Sequence, residues 1–161
     1  MPLTKYLLKL IAILEIVGSL FGFYILYSMF RSVSYDESTF LLYVLLFSAL
    51  GAVTVLALVA GILLWKERRL GFALSVLVQA LQIPIFTSAI FEIQLMFGVG
   101  IWPYAAMDGQ FKLGMDINFG AEEDLGWRPE APFSFGVNLV AVYFLYVLLR
   151  AMAERARLRS A

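Results

Sequence analysis

The chain has 161 residues and contains neither cysteine nor histidine. Without cysteine there are no disulfides, thiol nucleophiles or thiolate metal sites. Without histidine the usual neutral-pH acid/base group and the commonest metal ligand are missing. Charge is scarce as well. Only 15% of residues are charged, against about 25% in an ordinary soluble domain. Twelve Lys and Arg balance twelve Asp and Glu. That balance argues against a basic surface for nucleic acid, so no nucleic-acid partner is expected. No phosphate loop, nucleophile elbow or zinc motif appears. The expectation is therefore a non-enzyme with no cofactor and no metal site.

What fills the chain is apolar: 62% of residues are hydrophobic and 16% aromatic. A soluble fold of this size could not bury so much, and a disordered chain would not contain it. A helix needs about 20 apolar residues to cross a bilayer. Four segments qualify, at about 6–30, 39–65, 70–89 and 132–149. The fold class expected is an all-α integral membrane protein. It would be a four-transmembrane-helix bundle with an extracytoplasmic antiparallel β-hairpin between helices three and four. The whole chain forms one membrane domain, with a hairpin insertion at 90–120 and a basic tail at 150–161.

Orientation follows from the bases. Lys5, Lys9, Lys66, Arg68, Arg69, Arg150, Arg155, Arg157 and Arg159 fall on one side of a four-span chain, with only Glu67 and Glu154 to offset them. The opposite side holds Arg31, Lys112 and Arg128 among nine acids, from Asp36 to Glu130. Base-rich loops stay in the cytoplasm. Both termini are thus expected in the cytoplasm of a multi-pass cell-membrane protein, with the hairpin outside. Trp65, Trp102 and Trp127 fall at or just beyond span ends, where amphipathic rings favour the interface.

The hairpin is read from period two. Phe91, Ile93, Leu95, Phe97, Val99 and Ile101 alternate with polar or small residues, and so do Phe111, Leu113, Met115, Ile117 and Phe119. A helix would scramble these faces. Residues 102–109, ending in Asp-Gly, read as the connecting loop. Like faces then match when Ile101 opposes Phe111, Phe97 opposes Met115, and Gly98 opposes Gly114. The residues expected to mediate hairpin association are Phe97, Gly98, Gly100, Leu113, Gly114 and Ile117. The hairpin could act as a lid on its own helices, as a sheet shared between protomers, or as a recognition edge. The run Glu122-Glu123-Asp124 reads as a solvated acidic loop.

Inside the spans, Glu15 and Gln79 fall at similar depth, Gln82 one turn further out, and Asn138 and Thr54 nearby, so that Glu15, Gln79, Gln82 and Asn138 form a candidate polar cluster. A carboxylate in hydrocarbon faces the bundle interior or water. Glu15 would either couple to an ion or clamp helices through hydrogen bonds to Gln79 or Asn138. Small residues mark close helix packing at Gly18, Gly22, Ala57 and Gly61, with further stripes at Ala49 and at Gly71 and Ser75. Arg150, Arg155, Arg157 and Arg159 are expected to meet anionic lipid or a cytoplasmic partner.

A short four-helix chain with a lone glutamate in its first span resembles the small multidrug-resistance transporters. The resemblance is limited to that arrangement and to Glu15. The chain departs from those proteins in its strong charge bias and in the roughly forty residues between spans three and four. The function expected is a non-catalytic, homo-oligomeric membrane subunit, scaffold or envelope sensor acting through its hairpin. Its partners would be the lipid bilayer, further copies, and a protein at the hairpin or the basic face. The alternative is a small proton- or ion-coupled transporter or channel using Glu15.

Overall fold

The structure, a computed structural model, describes residues 2–32, 40–88, 92–126 and 133–160. Helix α1 runs Pro2–Ser32, α2 Phe40–Trp65, and α3 Arg69–Gln82. Strands follow: β1 Pro84–Thr87, β2 Glu92–Asp108, β3 Gln110–Gly126 and β4 Phe133–Val137. Helix α4, Leu139–Ser160, closes the described chain.

The all-α expectation is overturned: four helices stand beside a four-stranded antiparallel sheet. Two helices, spanning Thr4–Arg31 and Phe40–Trp65, are long and apolar enough to cross a membrane. The third expected span stops at Gln82 because Pro84 cannot continue a helix, and the chain extends into β1. At 14 residues α3 is about 21 Å long. The fourth expected span begins not at Pro132 but at Leu139. Before it, Phe133, Phe135 and Val137 alternate as strand β4. The second half of α4 carries Arg150, Glu154, Arg155 and Arg157.

The α2–α3 turn is a Schellman-type stop. Glu67 N–H donates to Leu64 O at 2.9 Å and Arg68 N–H to Leu63 O at 3.0 Å. Glu67 itself takes φ +54°, a left-handed position that glycine usually fills. It is held there from outside. Arg155 of α4 donates to the Glu67 carbonyl at 3.1 Å and to its carboxylate at 2.6 Å. Lys9 of α1 donates to Trp65 O and sits 4.3 Å over that ring. These contacts bring the start of α1, the α2–α3 turn and the end of α4 together.

The hairpin is longer than its sequence pattern implied. Residues 102–108, expected as loop, continue β2, and the reversal is the tight Asp108–Gly109–Gln110, where Gly109 has φ +65°. Ile101 therefore faces Ile117, Phe97 faces Ala121, and Gly98 faces Gly120. Each partner lies six residues beyond the one expected. Six is even, so the apolar faces still coincide. The acidic run also proves to be strand: Glu122, Glu123 and Asp124 pair with Met96, Leu95 and Gln94. Trp127 and the connection holding Asp36 and Glu37 lie outside the described residues.

Gly98 and Gly120, directly paired, both have positive φ, +108° and +114°. Two such residues side by side let the ribbon bend. The bend lets the start of β2 pair with β1 (Phe86 with Ile93) while its end pairs with β4 (Tyr104 with Gly136). Strand β4 also pairs with β1. The sheet thus curls on itself around Ile85, Met96 and Trp102, with Tyr104 against them. Gly100 is bare because the Trp102 ring occupies the space its Cβ would need. The opposite face of β2 sends Phe97 into the helices, where it packs with Ala57, Ala60 and Val78. A second core of Leu8, Ile11, Phe72, Phe144 and Leu148 joins α1, α3 and α4.

Candidate functional site

Helix periodicity sets the polar layer. Ser75, Gln79 and Gln82 fall at i, i+4 and i+7 on α3, so one face points them all inward. Glu15 of α1 meets the first two. Ser75 Oγ donates to Glu15 Oε2 at 2.7 Å, and Gln79 Nε2 donates to Oε1 at 3.0 Å. Glu15 and Ser75 are wholly buried, and Gln79 nearly so. Helix α2 backs the carboxylate with Gly61, where a Cβ would stand 2.9 Å from Ala12 O and 3.0 Å from Glu15 Cβ. Both carboxylate oxygens thus have a donor, which removes the largest part of the cost of burying them.

The expected cluster is only partly assembled. Gln82 points to the sheet: its Oε1 accepts from Phe97 N–H at 2.8 Å, and its Nε2 donates to Val78 O at 3.3 Å. Asn138 caps α4, its Oδ1 accepting from Val140 N–H at 3.1 Å and Ala141 N–H at 3.3 Å. Neither hydrogen-bonds Glu15. The buried Nδ2 of Asn138 has no partner among the described residues. Thr54 and Ser19 return their hydroxyls to carbonyls one turn earlier, Leu50 O and Glu15 O. The polar layer is a clamp between α1 and α3, with separate ties to β2 and α4. Among the described residues no group of acids could hold a metal ion.

The small residues serve more than helix pairing. A Cβ on Gly18 would stand 2.5 Å from Gly98 N and 2.6 Å from Phe97 C. Gly18 therefore admits the backbone of β2, and Gly98 lies against Leu14 in return. Gly71, by contrast, lets α3 approach the backbone of α2 at Leu63 and Leu64. Ala57 is buried beneath Phe97, and Gly22 is buried on α1.

The residues expected to mediate hairpin association divide into two sets. Phe97, Gly98 and Gly100 face inward and are buried. Leu113 and Ile117 are exposed, and with them Phe111, Met115 and Phe119, each at 52–78%. Gly114 lies under the Tyr104 ring. Strand β3 is the sheet's outer strand, so its far edge has no partner among the described strands.

Of the four arginines of the tail, Arg150 pairs with Glu154 at 3.1 Å and Arg155 with Glu67 at 2.6 Å. Arg157 is exposed, and the side chain of Arg159 lies outside the described residues. The Lys9–Trp65 and Arg155–Phe72 contacts were not anticipated from the sequence. Comparison with protein-family models, curated proteins and solved structures found no match. The functional reading therefore rests on the geometry alone.

Proposed function

We propose that this chain is a membrane-anchored, non-catalytic assembly subunit. It is held in the cell membrane by α1 and α2, keeps both termini on the cytoplasmic side, and presents the outer strand of its sheet, β3, to a second copy of itself. The observation that carries the reading is the outer edge of β3 with its five exposed apolar side chains. An open strand edge is a template for another strand, and the five side chains on one face of β3 ask for a cover. The gathering of Lys9, the Lys66–Arg69 turn and Arg155 at one end supports the orientation.

The pattern on β3 favours a second copy in one register. An antiparallel pair about a two-fold axis at Gly114 sets Lys112 opposite Asp116 of the second copy, and Gln110 opposite its Asn118. Phe111 then meets Ile117, and Leu113 meets Met115, each of the second copy. Moving the axis to Leu113 or Met115 loses the opposite-charge pairs. Moving it to Lys112 or Asp116 makes like charges face each other, which is unfavourable. One self-complementary contact closes at a dimer.

The absence of native cysteine makes the test clean. A Leu113→Cys chain mixed with a Met115→Cys chain, reconstituted in bilayers, is expected to cross-link with a short thiol-specific linker. Either chain alone should cross-link weakly. Strong linking of Leu113→Cys alone, or of Met115→Cys alone, would move the axis. A chain that stays monomeric in bilayers at all densities would end the reading. Ion coupling at Glu15 has less support, since its carboxylate is occupied by Ser75 and Gln79. Flux abolished by Glu15→Gln in reconstituted vesicles would reverse that judgement.

A further inference from the structure

We infer that the groove between the first turn of α3 and the last turns of α4 binds the phosphate headgroup of an anionic phospholipid. The inference rests on the membrane reading above but not on self-association. The groove has a volume of about 410 Å³ and is lined by Arg69, Phe72, Met152, Arg155 and Ala156. That volume lies in the range that holds small ligands, roughly 300–1,000 Å³.

Its chemistry is divided. Phe72, Met152 and Ala156 supply its apolar lining, and Arg69 and Arg155 supply two guanidinium groups. Arg155 is fixed in place, stacked 4.3 Å from the centre of the Phe72 ring and doubly bonded to Glu67. Its charge is therefore partly answered. Arg69 makes no ion pair among the described residues. A guanidinium with free donors matches a phosphate in geometry as well as charge.

Position decides the kind of anion. The groove lies where α2 ends at Trp65 and the Lys66–Arg69 turn begins, the boundary between apolar helix and charge. A phosphate at Arg69 would sit at headgroup level, and its acyl chain would run over the exposed Met152 and Ala156. A free phosphate ion would use the arginines and leave the apolar lining bare. An anionic amphiphile answers both halves, so the bilayer is the source.

Native mass spectrometry of the purified full chain in detergent tests this, with phosphatidylglycerol, phosphatidylcholine and inorganic phosphate as probes. One phosphatidylglycerol should be retained per chain, and held more tightly than phosphatidylcholine. Arg69→Gln should weaken retention about tenfold, the loss of one charge-assisted contact. Met152→Trp, which puts a bulkier side chain on the apolar lining, should weaken it while leaving both arginines in place. Arg31→Gln, on the far end of α1, should not. Retention unchanged in both Arg69→Gln and Met152→Trp would overturn the inference. Inorganic phosphate competing as well as the lipid would also overturn it. Alkaline extraction of native membranes separates the two claims. Release of the chain would defeat the membrane reading. Firm retention in the membrane, with both groove variants still holding lipid, would defeat the groove alone.

Discussion

Glu15 and Phe119 are both misplaced by residue type, one an acid in an apolar bundle and the other an aromatic on an open strand. The protein treats them in opposite ways. Glu15 is 0% exposed and both its oxygens are hydrogen-bonded. Phe119 is 78% exposed, with four more apolar side chains on the same strand. The difference lies in what each element can close by itself. A helix satisfies its backbone internally and asks neighbours only for side-chain partners. Helix α3 supplies those from one face. A strand leaves half its backbone groups to each side. Strand β2 has neighbours on both sides, but among the described strands β3 has β2 alone. Both oxygens of Glu15 are answered within one chain, whereas the outer edge of β3 is open among the described strands.

If that contrast is right, substitutions in the interior change stability and substitutions on the open strand change association. The largest effect is expected where bundle and ribbon touch. Gly18→Leu would push a side chain into the backbone of Phe97 and Gly98, which cannot swing aside as a flexible side chain would. A loss of about 3 kcal/mol or more is expected, at the upper end of overpacking effects. Thermal unfolding in detergent should show a large drop in Tm. Gly51→Ala is the matched control on α2, because nothing lies within 4 Å of a Cβ there. It should be neutral or stabilising by up to about 1 kcal/mol. Equal losses at both positions would refute the close approach at Gly18.

Next in size is the clamp. Glu15→Leu removes the acceptor of Ser75 and Gln79 and leaves two buried donors unsatisfied, a loss of about 2–3 kcal/mol. Adding Ser75→Ala and Gln79→Leu removes those donors, and most of the loss should return. A triple variant as unstable as Glu15→Leu alone would show that the carboxylate acts through something other than these two bonds.

A smaller effect is expected at the α2–α3 turn. Glu67 sits in the left-handed region at φ +54° and is held by Arg155. Glu67→Gly loses the ion pair but relieves the backbone, whereas Glu67→Ala loses the pair and keeps the strain. Denaturation should rank Gly above Ala by about 1 kcal/mol. Equal stabilities would mean that the turn stores no such strain.

The same contrast explains how much the residues foretold. Glu15 and Gln79 were legible as neighbours because helix period and depth are local arithmetic, and they do bond. Asn138 was misassigned by the same arithmetic. It caps α4, and the strand before it, Phe133–Val137, was absorbed into an apolar run. Short apolar strands and buried helix ends look alike in sequence. The two-residue period of β2 and β3 was visible, and so was the matching of their faces. Their register was not, because Pro103 and Asp108-Gly109 both read as turn residues and only the second makes one. The bend at Gly98 and Gly120 was hidden too. A positive φ is a product of the closed sheet, which β1 and β4 complete from distant parts of the chain.

The smallest expected effect on stability is also the one that sharpens the contrast most. Leu113 is 76% exposed on β3, so Leu113→Asn removes little packing within one chain. Its unfolding free energy as a monomer in dilute detergent should stay within about 0.5 kcal/mol of the parent, as for other surface substitutions. In the register centred on Gly114, however, the side chain faces Met115 of the second copy, and the two-fold axis repeats the contact. Two cross-strand apolar contacts are lost at once, each worth roughly 0.2–1 kcal/mol. The dimer should weaken by about two- to thirtyfold, read as a shift in the monomer–dimer midpoint by single-molecule counting in bilayers. Substituting Gln110 by Ser, on the opposite face, should shift that midpoint less. If instead Leu113→Asn lowers the Tm of the isolated chain as much as an interior change does, β3 is covered by its own molecule. The open strand would then belong with the bundle, and the division between a closed helical end and an unfinished sheet would fail.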